Sequence, residues 1–377
     1  MVTEVYLDNS ATTRVSNSVA DVICDMLVNN YGNPSSLHTK GLQAQHSVEN
    51  ARAILAKELA TTEREIYFTS GGTEANNMAI IGTALAKRKT GNKIVTSAVE
   101  HSSVIESCKY LETLGFQVEY LPTDTNGAVS LEALQQAIDE NTILVSLMYV
   151  NNETGAIFPV DKVPRIIKKN NSPAVFHIDA VQAFGKMPVK ASKLKADMIT
   201  VTAHKIHGPK GVGALYIKKG VRIIPRLYGG EQQNKIRPGT ESSALIAGFG
   251  QAVKEIDLTV NNRVKELNKY LREQLNQVEG VVINSTENAL EYILNFSVVG
   301  IKSETMLHFL ADKNIYVSSG SACAKGKQSH VLGSMGLTKE VTDSAIRVSF
   351  SKYNTIDDLD ILITAIKQGV SSLVRLV

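Results

Sequence analysis

AVFHIDAVQAFGKMPVKASKLKADMITVTAHKIHGPKGVGALYIKK, residues 174–219, is the stretch whose reading decides the fold. It holds three short apolar runs, AVFHID, MITVTA and GALYIKK, each of strand length and rich in aliphatic or aromatic residues. Polar or glycine-containing segments separate them. The first run ends on an isolated carboxylate, Asp179, and the second leads into Lys205, which stands between a histidine and a glycine-proline turn. The second and third runs follow one another across the TAHKIHGPKG loop with no helical pattern, so they should pair antiparallel. Asp179 and Lys205 should then sit at neighbouring strand ends.

Upstream, from about Glu65, runs of the same kind, EIYFTS, KIVTSA, FQVEYL and TILVSLMYV, alternate with amphipathic stretches such as EANNMAIIGTALAKRK, HSSVIESCKYLETLG and LEALQQAID. This alternation predicts an α/β fold, a large and mostly parallel sheet covered by helices. Downstream, Ser242 to about Val278 is rich in Glu, Lys, Leu and Gln and reads as one long helical connection to a second unit. ILNFSVV, a helix around ETMLHFLADKN, the stretch VSSGSACAKGKQSH, the short strand IRVSF and an amphipathic C-terminal helix make up that smaller α+β unit. The expected division is a large domain over 15–255 and a small domain formed by 1–14 and 256–377.

A chain of 377 residues, 43% of them apolar, can bury the cores of two domains or more. Its formal charge of +3 comes from 40 basic and 37 acidic residues, well mixed. No stripe for a polyanion results, and nucleic acid is not an expected direct partner. MVTEVYLDNSATT lacks a basic leader followed by an apolar core, and no apolar run approaches bilayer-spanning length, so a soluble cytoplasmic protein without a membrane partner is expected. Three cysteines agree with a reducing compartment. Cys24 shares a helical face with Ala20, Ile23 and Leu27, and Cys108 lies with Val104, Ile105 and Leu111, so both read as small core residues. Cys323 stands instead in SSGSACAKGKQSH, with glycine on both sides and Lys325 and Lys327 near enough to favour its thiolate. Its plainer reading is an incidental loop cysteine. Without a CxxC or HxxxH pair, no metal site is expected.

Pyridoxal phosphate (PLP) chemistry requires a lysine amine for a Schiff base and a carboxylate that keeps the pyridine nitrogen protonated. Lys205 and Asp179 supply both, although alone the one could be a solvated lysine and the other a helix cap. In TSGGTEANN, residues 69–77, the Gly72 and Thr73 amides and the Thr73 hydroxyl can meet an anion at a helix N-terminus, a plain capped turn being the simpler reading. Neither GxxxxGK[ST] nor GxGxxG occurs between a strand and a helix, which counts against nucleoside triphosphates and dinucleotides. His101, in AVEHSS, opens a helix after a strand, where it can stack on an aromatic ligand, shuttle a proton or merely start the helix. Asn152, in YVNNETG, and Gln182, three residues past Asp179, can reach the same ligand, though turn chemistry alone would account for Asn152. His204 reads as a phosphate neighbour and His207 as a loop residue.

YLDNSATT, GNPSSLH, FTSGGTEANN, EHSSV, VNNETG, HIDAVQ, TAHKIHGPKGVGALY, GGEQQNKIRPGTES, SSGSAC and SAIRVSF occur in the order seen in cysteine desulfurases of the NifS/IscS type, from Tyr6 to Phe350. The chain resembles that family, part of the class V group of PLP enzymes. The resemblance implies the PLP-dependent transferase fold of aspartate aminotransferase type I, a homodimer, and pyridoxal 5'-phosphate as cofactor. Lys205 would carry the cofactor as a Schiff base, Asp179 would pair with the pyridine nitrogen, and His101 would stack over the ring as a catalytic group. Gln182 and Asn152 would contact the ring hydroxyl side, with Asn152 also near the substrate. Thr73 with the Gly72 amide, Thr202 and His204 would bind the phosphate, and Thr240 would reach it from the other subunit. Arg347 would hold the substrate carboxylate. Cys323 would attack the sulfur of bound L-cysteine, leaving L-alanine and a persulfide for a sulfur-acceptor protein such as an iron-sulfur scaffold or a tRNA-thiolation enzyme.

A selenocysteine lyase or another class V aminotransferase would share Lys205 and Asp179, and Cys323 is what separates them. A catalytically idle PLP-fold scaffold protein would have no need of Lys205, Asp179, His101, Cys323 and Arg347 together. Some residues depart from the family pattern. AKGKQSHVL is shorter than in the housekeeping enzymes and lacks their Glu-Pro, Ala203, Glu231 and Pro238 replace commoner residues, and Val377 comes without the extension that meets a scaffold protein. These departures bear on the sulfur acceptor, not on the cofactor chemistry.

Overall fold

The computed structural model describes residues 4–320 and 329–374. After a two-residue strand, β1 (Val5–Tyr6), the chain builds a seven-stranded sheet from β2 (Ile66–Thr69), β3 (Lys93–Ser97), β4 (Gln117–Leu121), β5 (Thr142–Met148), β6 (Val175–Asp179), β7 (Met198–Thr202) and β8 (Gly213–Ile217). Each lies in one of the seven runs read as strands. Their order is β2-β8-β7-β6-β5-β3-β4, and only β8 runs against its neighbours, pairing antiparallel with β7 as expected and with β2. The other pairings are parallel.

Apart from the half-exposed edge strand β4, the strands are largely apolar on both faces because both faces are covered. Ile94, Leu144, Met198 and Leu215 pack to one side with residues of the helices Gly72–Lys87 and Ser102–Thr113. Val95, Val145, Ile199 and Ala214, one residue along each strand, point to the other side into the larger core. That core includes the helix Ser243–Lys254, which packs on Thr39–Leu59. No helix was expected over Thr39–Leu59, since its inward face is built largely of small residues, among them Gly41, Ala44 and Ala51, which leave a weak apolar stripe. They suit a close crossing: a Cβ on Gly250 would sit 2.8 Å from the Cβ of Ala51.

Two expectations need correction. The helical region from Ser242 to Val278 is two helices, Ser243–Lys254 and Asn261–Leu275, broken where the Asp257 side chain accepts hydrogen bonds from the Thr259 amide and hydroxyl. Cys24 is exposed, not a core residue. In its helix, Asn17–Val28, the inward face is centred on Val19 and Met26, and Cys24 falls off it. Cys108 is buried as expected.

Past the Asn261–Leu275 helix, β9 (Val281–Ile283), β10 (Ile293–Val298) and β12 (Ala345–Ser349) form an antiparallel sheet in the order β12-β10-β9, and β11 (Ile315–Tyr316) pairs in parallel with β1. The helix Ile356–Ser372 closes the unit, started by a capping box in which Thr355 and Asp358 exchange side-chain and backbone bonds. The N-terminal strand therefore joins the C-terminal part of the chain, and Asp8 bridges to Ser349 just beyond it. This return brings residues 8–13 between the two sheets, beside the site. Among the described residues, no helix is long and apolar enough to cross a membrane.

Candidate active site

Five parallel strands deliver functional side chains at one edge of the sheet, which is where open α/β sheets bind ligands. After β2 come Gly72 and Thr73, in the first turn of the Gly72–Lys87 helix; after β3 comes His101, the N-cap of the next helix; after β5 comes Asn152. β6 ends on Asp179, with Gln182 one turn on, and β7 ends on Thr202, followed by His204 and Lys205. With Arg347 of β12 they line one cavity of about 240 Å³. Gly72 packs tightly at this edge: a Cβ there would stand 3.0 Å from Val181 Cγ2 and press on that side chain. Thr240 is not in the cavity; it is exposed on the loop before the Ser243–Lys254 helix. Cys323, with Lys325 and Lys327, lies outside the described residues.

The Lys205 amine donates to the carbonyl oxygens of Ser10 and Ala11, the latter at 2.8 Å. Asp179 is 6% exposed. Its Oδ2 accepts from Asn76 Nδ2 at 2.7 Å and its Oδ1 from the Val181 amide at 3.0 Å. Asn76 Nδ2 also donates to Ser103 Oγ, which stands 2.8 Å from His101 Nδ1. The Ser103 amide donates to that same Nδ1 at 3.2 Å, so the neutral ring carries its proton on Nε2. Burial is the first cause holding the His101 pKa below its ordinary value. Burial, then the charges of Lys205 and Lys210, pushes His204 down to about 3. His204 is thus neutral near pH 7 and can meet an anion only as an N–H dipole. Its Nδ1 lies 3.3 Å from Thr12 Oγ1, while Thr202 Oγ1 donates to the Val212 carbonyl.

Arg347 is 1% exposed, and its guanidinium is already engaged: Nη2 donates to Asp8 Oδ1 at 2.7 Å and Nη1 to the Asn152 carbonyl at 2.9 Å. A substrate carboxylate would therefore have to share Arg347 with Asp8. Its Nε is buried without a partner among the described residues, as are Ser10 Oγ and Asn76 Oδ1. All three residues line the cavity, so its walls hold polar atoms that a bound molecule can satisfy. A pyridinium needs an anion, a Schiff base needs an amine, and a phosphate needs a helix N-terminus and hydroxyls. Asp179, Lys205 and the Gly72–Thr73 turn fit PLP on each count.

Ser10, Asn76, Ser103 and Asp8 were not singled out in the sequence, though each supports a residue that was. Asn76 was the most accessible of them. It follows Gly72 and Thr73 by four and three residues, which puts it on their face of the helix.

Glu100, one residue before His101, is fully buried; its Oε1 accepts from Ser97 Oγ and the Met148 amide, and its Oε2 has no partner among the described residues. Burial first, and then Asp179, raises its pKa from 4.5 to about 8. Between those values the folded chain holds a proton that the unfolded chain releases, so this group's contribution to stability is lost as pH rises from about 4.5 to about 8. Glu100→Gln, which needs no such proton, should gain in melting temperature over the wild type as pH climbs from 5 to 8. A constant difference across that range, read by circular dichroism, contradicts a buried neutral Glu100.

The chain belongs to the class V aminotransferase family, whose model, Aminotransferase class-V, matches residues 5–362. Within it, the relatives are IscS-type cysteine desulfurases. The Cysteine desulfurase IscS of Dictyoglomus turgidum is 39% identical over 99% of this chain and 96% of its own length, and that of Methanosarcina thermophila 41% identical over 98% and 92%. A solved NifS-like protein superposes with a TM-score of 0.94 at 39% identity, covering 98% of this chain and all of that one. SspA, solved in complex with cysteine, is 30% identical with a TM-score of 0.83, over 94% of this chain and all of its own. Membership implies the use of PLP.

Proposed function

We propose that the protein is a PLP-dependent cysteine desulfurase that converts L-cysteine to L-alanine and leaves the sulfur as a persulfide on Cys323. The observation that carries this reading is the convergence of Lys205, Asp179 and Arg347 on one cavity, in a chain about 40% identical over nearly its whole length to IscS enzymes. Bound PLP supplies an electron sink for bond cleavage at the substrate's α and β carbons. Asp179 holds the pyridine nitrogen, His101 covers the ring, and Gln182 and Asn152 meet its hydroxyl side. Gly72, Thr73, Thr202 and His204 hold the phosphate.

Arg347 orients the substrate carboxylate, with Asn152 beside it, and Lys205 moves the proton at Cα. The Cys323 sulfur takes the substrate sulfur, so that an S–S bond forms as the Cβ–S bond breaks; the electron pair left on carbon is protonated to give alanine. The persulfide then passes to an acceptor thiol. We infer a homodimer in the cytoplasm, with Thr240 of each subunit serving the phosphate of the other, and an acceptor protein that builds iron-sulfur clusters or thiolates tRNA. The exposure of Thr240 outside its own chain's cavity supports that sharing.

The test is incubation of the reconstituted protein with L-cysteine and a reductant, quantifying alanine and sulfide. They should appear one to one. A keto acid in place of alanine would mark a transaminase, and alanine from selenocysteine alone a selenocysteine lyase.

A further inference from the structure

Lys186 is buried, 5% exposed, behind the cavity wall and takes no part in the chemistry described above. Its amine donates to Gln182 Oε1 at 3.1 Å and lies 5.8 Å from the centre of the Tyr292 ring; no carboxylate pairs with it among the described residues. The bond to Lys186 fixes which way the Gln182 amide points. Gln182 Nε2 is left to donate to the Ser10 carbonyl at 3.0 Å, and that carbonyl is one of the two that receive the Lys205 amine. Lys186 and Lys205 also border the same small cavity, of about 50 Å³.

We propose that Lys186 is a positioning residue of this site: it fixes the Gln182 amide and the Ser10 carbonyl on which Lys205 rests, and it sets a second buried cation beside the Lys205 amine. The inference rests on Lys205 being the cofactor lysine. The titratable and charged groups facing Lys186 are Lys205, Arg347 from β12, the neutral His204 and, around the shared cavity, His207, Lys352, Glu255 and Asp257. The two carboxylates are committed elsewhere, Glu255 to Ser18, Gln251 and Lys352, and Asp257 to Thr259. Burial, then Lys205 and Arg347, brings the Lys186 pKa down to about 7. The coupling is mutual: a cation at Lys186 makes the proton on Lys205 easier to lose, which is the state in which a lysine attacks an aldehyde.

The readout is the rate at which full-length apoprotein captures PLP, followed by absorbance across pH. Wild type should show two ionisations, one of them near pH 7. Lys186→Met and Lys186→Gln should lose that ionisation and capture PLP about threefold more slowly below pH 7, where the wild type carries the second charge, and should converge with the wild type above it. Lys186→Arg, with a permanent charge, should match the wild type below pH 7 and capture PLP faster than the wild type above it. Only Lys186→Met, which also lacks a donor to Gln182, should weaken PLP retention on dialysis. A folded Lys186→Met or Lys186→Gln protein with the wild-type profile overturns the proposal, and a single ionisation in the wild type does so even if neither variant folds. Borohydride mapping of the captured PLP keeps the two readings apart. An adduct away from Lys205 refutes the cofactor lysine, whereas an adduct on Lys205 with an unchanged profile refutes only Lys186.

Discussion

Lys205→Ala should abolish turnover of L-cysteine while leaving a folded protein that still holds PLP. The amine that Lys205 brings to the cavity has two tasks, linking the cofactor and carrying the proton at Cα, and among the described residues no other lysine lines that cavity. Lys186 is close, but its amine is turned to Gln182 and Tyr292. Loss of positioned proton transfer alone lowers rates by about 10²- to 10⁴-fold. Loss of the covalent link adds to this, so the rate should fall by about 10³-fold at least. The phosphate contacts at Gly72 and Thr73 and the Asp179 carboxylate do not depend on Lys205, which is why PLP should remain as a dialysable ligand. Folding should change little, because the Ser10 and Ala11 carbonyls released by the amine face a cavity that water can fill. In the wild type, borohydride should fix PLP to Lys205; in the variant it should fix none. Peptide mapping that finds the adduct on another lysine, or turnover within tenfold of wild type in Lys205→Ala, removes Lys205 from the mechanism.

The sheet was legible because its strands obey a local rule. A run buried on both faces has to be largely apolar, and six such runs, with the half-exposed edge strand β4 beside them, stand between helical or turn segments from Glu65 to Lys219. The edge that carries chemistry followed from the same rule, since polar residues that interrupt such runs at their carboxyl ends, Asp179 and Thr202 among them, fall on one side of a parallel sheet. What could not be read depended on contacts distant in sequence. Asp8 pairs with Arg347 and Ser10 receives Lys205 because β1 crosses to β11, a pairing of two residues that leaves no periodic signal. Cys24 was misplaced by a similar limit. Its helix has apolar residues on more than one side, and only packing against the Ser243–Lys254 helix decides which side is inward. The helix Thr39–Leu59 leaves only a weak periodic signal, because alanine and glycine stand on its inward face where larger apolar residues would make a stripe.

Cys323→Ala should stop sulfur release almost completely and leave PLP binding intact. Every side chain proposed here to hold the cofactor or the substrate carboxylate lies elsewhere in the chain, at the ends of β2, β3, β5, β6 and β7, on the loop that carries Thr240, and on β12, so removing the thiol takes away none of those contacts. The substrate should still bind at Arg347 and Lys205 should still exchange the Cα proton for deuterium from solvent. The Cβ–S bond would then have no tethered acceptor for its sulfur. A free thiol or water must substitute, forfeiting an effective-molarity advantage worth about 7 kcal/mol or more, which is about 10⁵-fold in rate. Selenocysteine should suffer less, since selenium leaves carbon more readily. Three measurements decide the matter: alanine formation by wild type and variant, deuterium exchange at Cα in both, and mass spectrometry of the wild type after a single turnover. The persulfide should be on Cys323. Cys108 is an unsuitable alternative because burial pushes its thiol up to about 12, and the exposed Cys24 lies on a helix that contributes nothing to the cavity. Equal alanine rates in the two proteins, or a persulfide confined to Cys24 or Cys108, would falsify the sulfur-transfer step. Loss of deuterium exchange along with loss of alanine would mean that Cys323 serves substrate binding instead of sulfur abstraction.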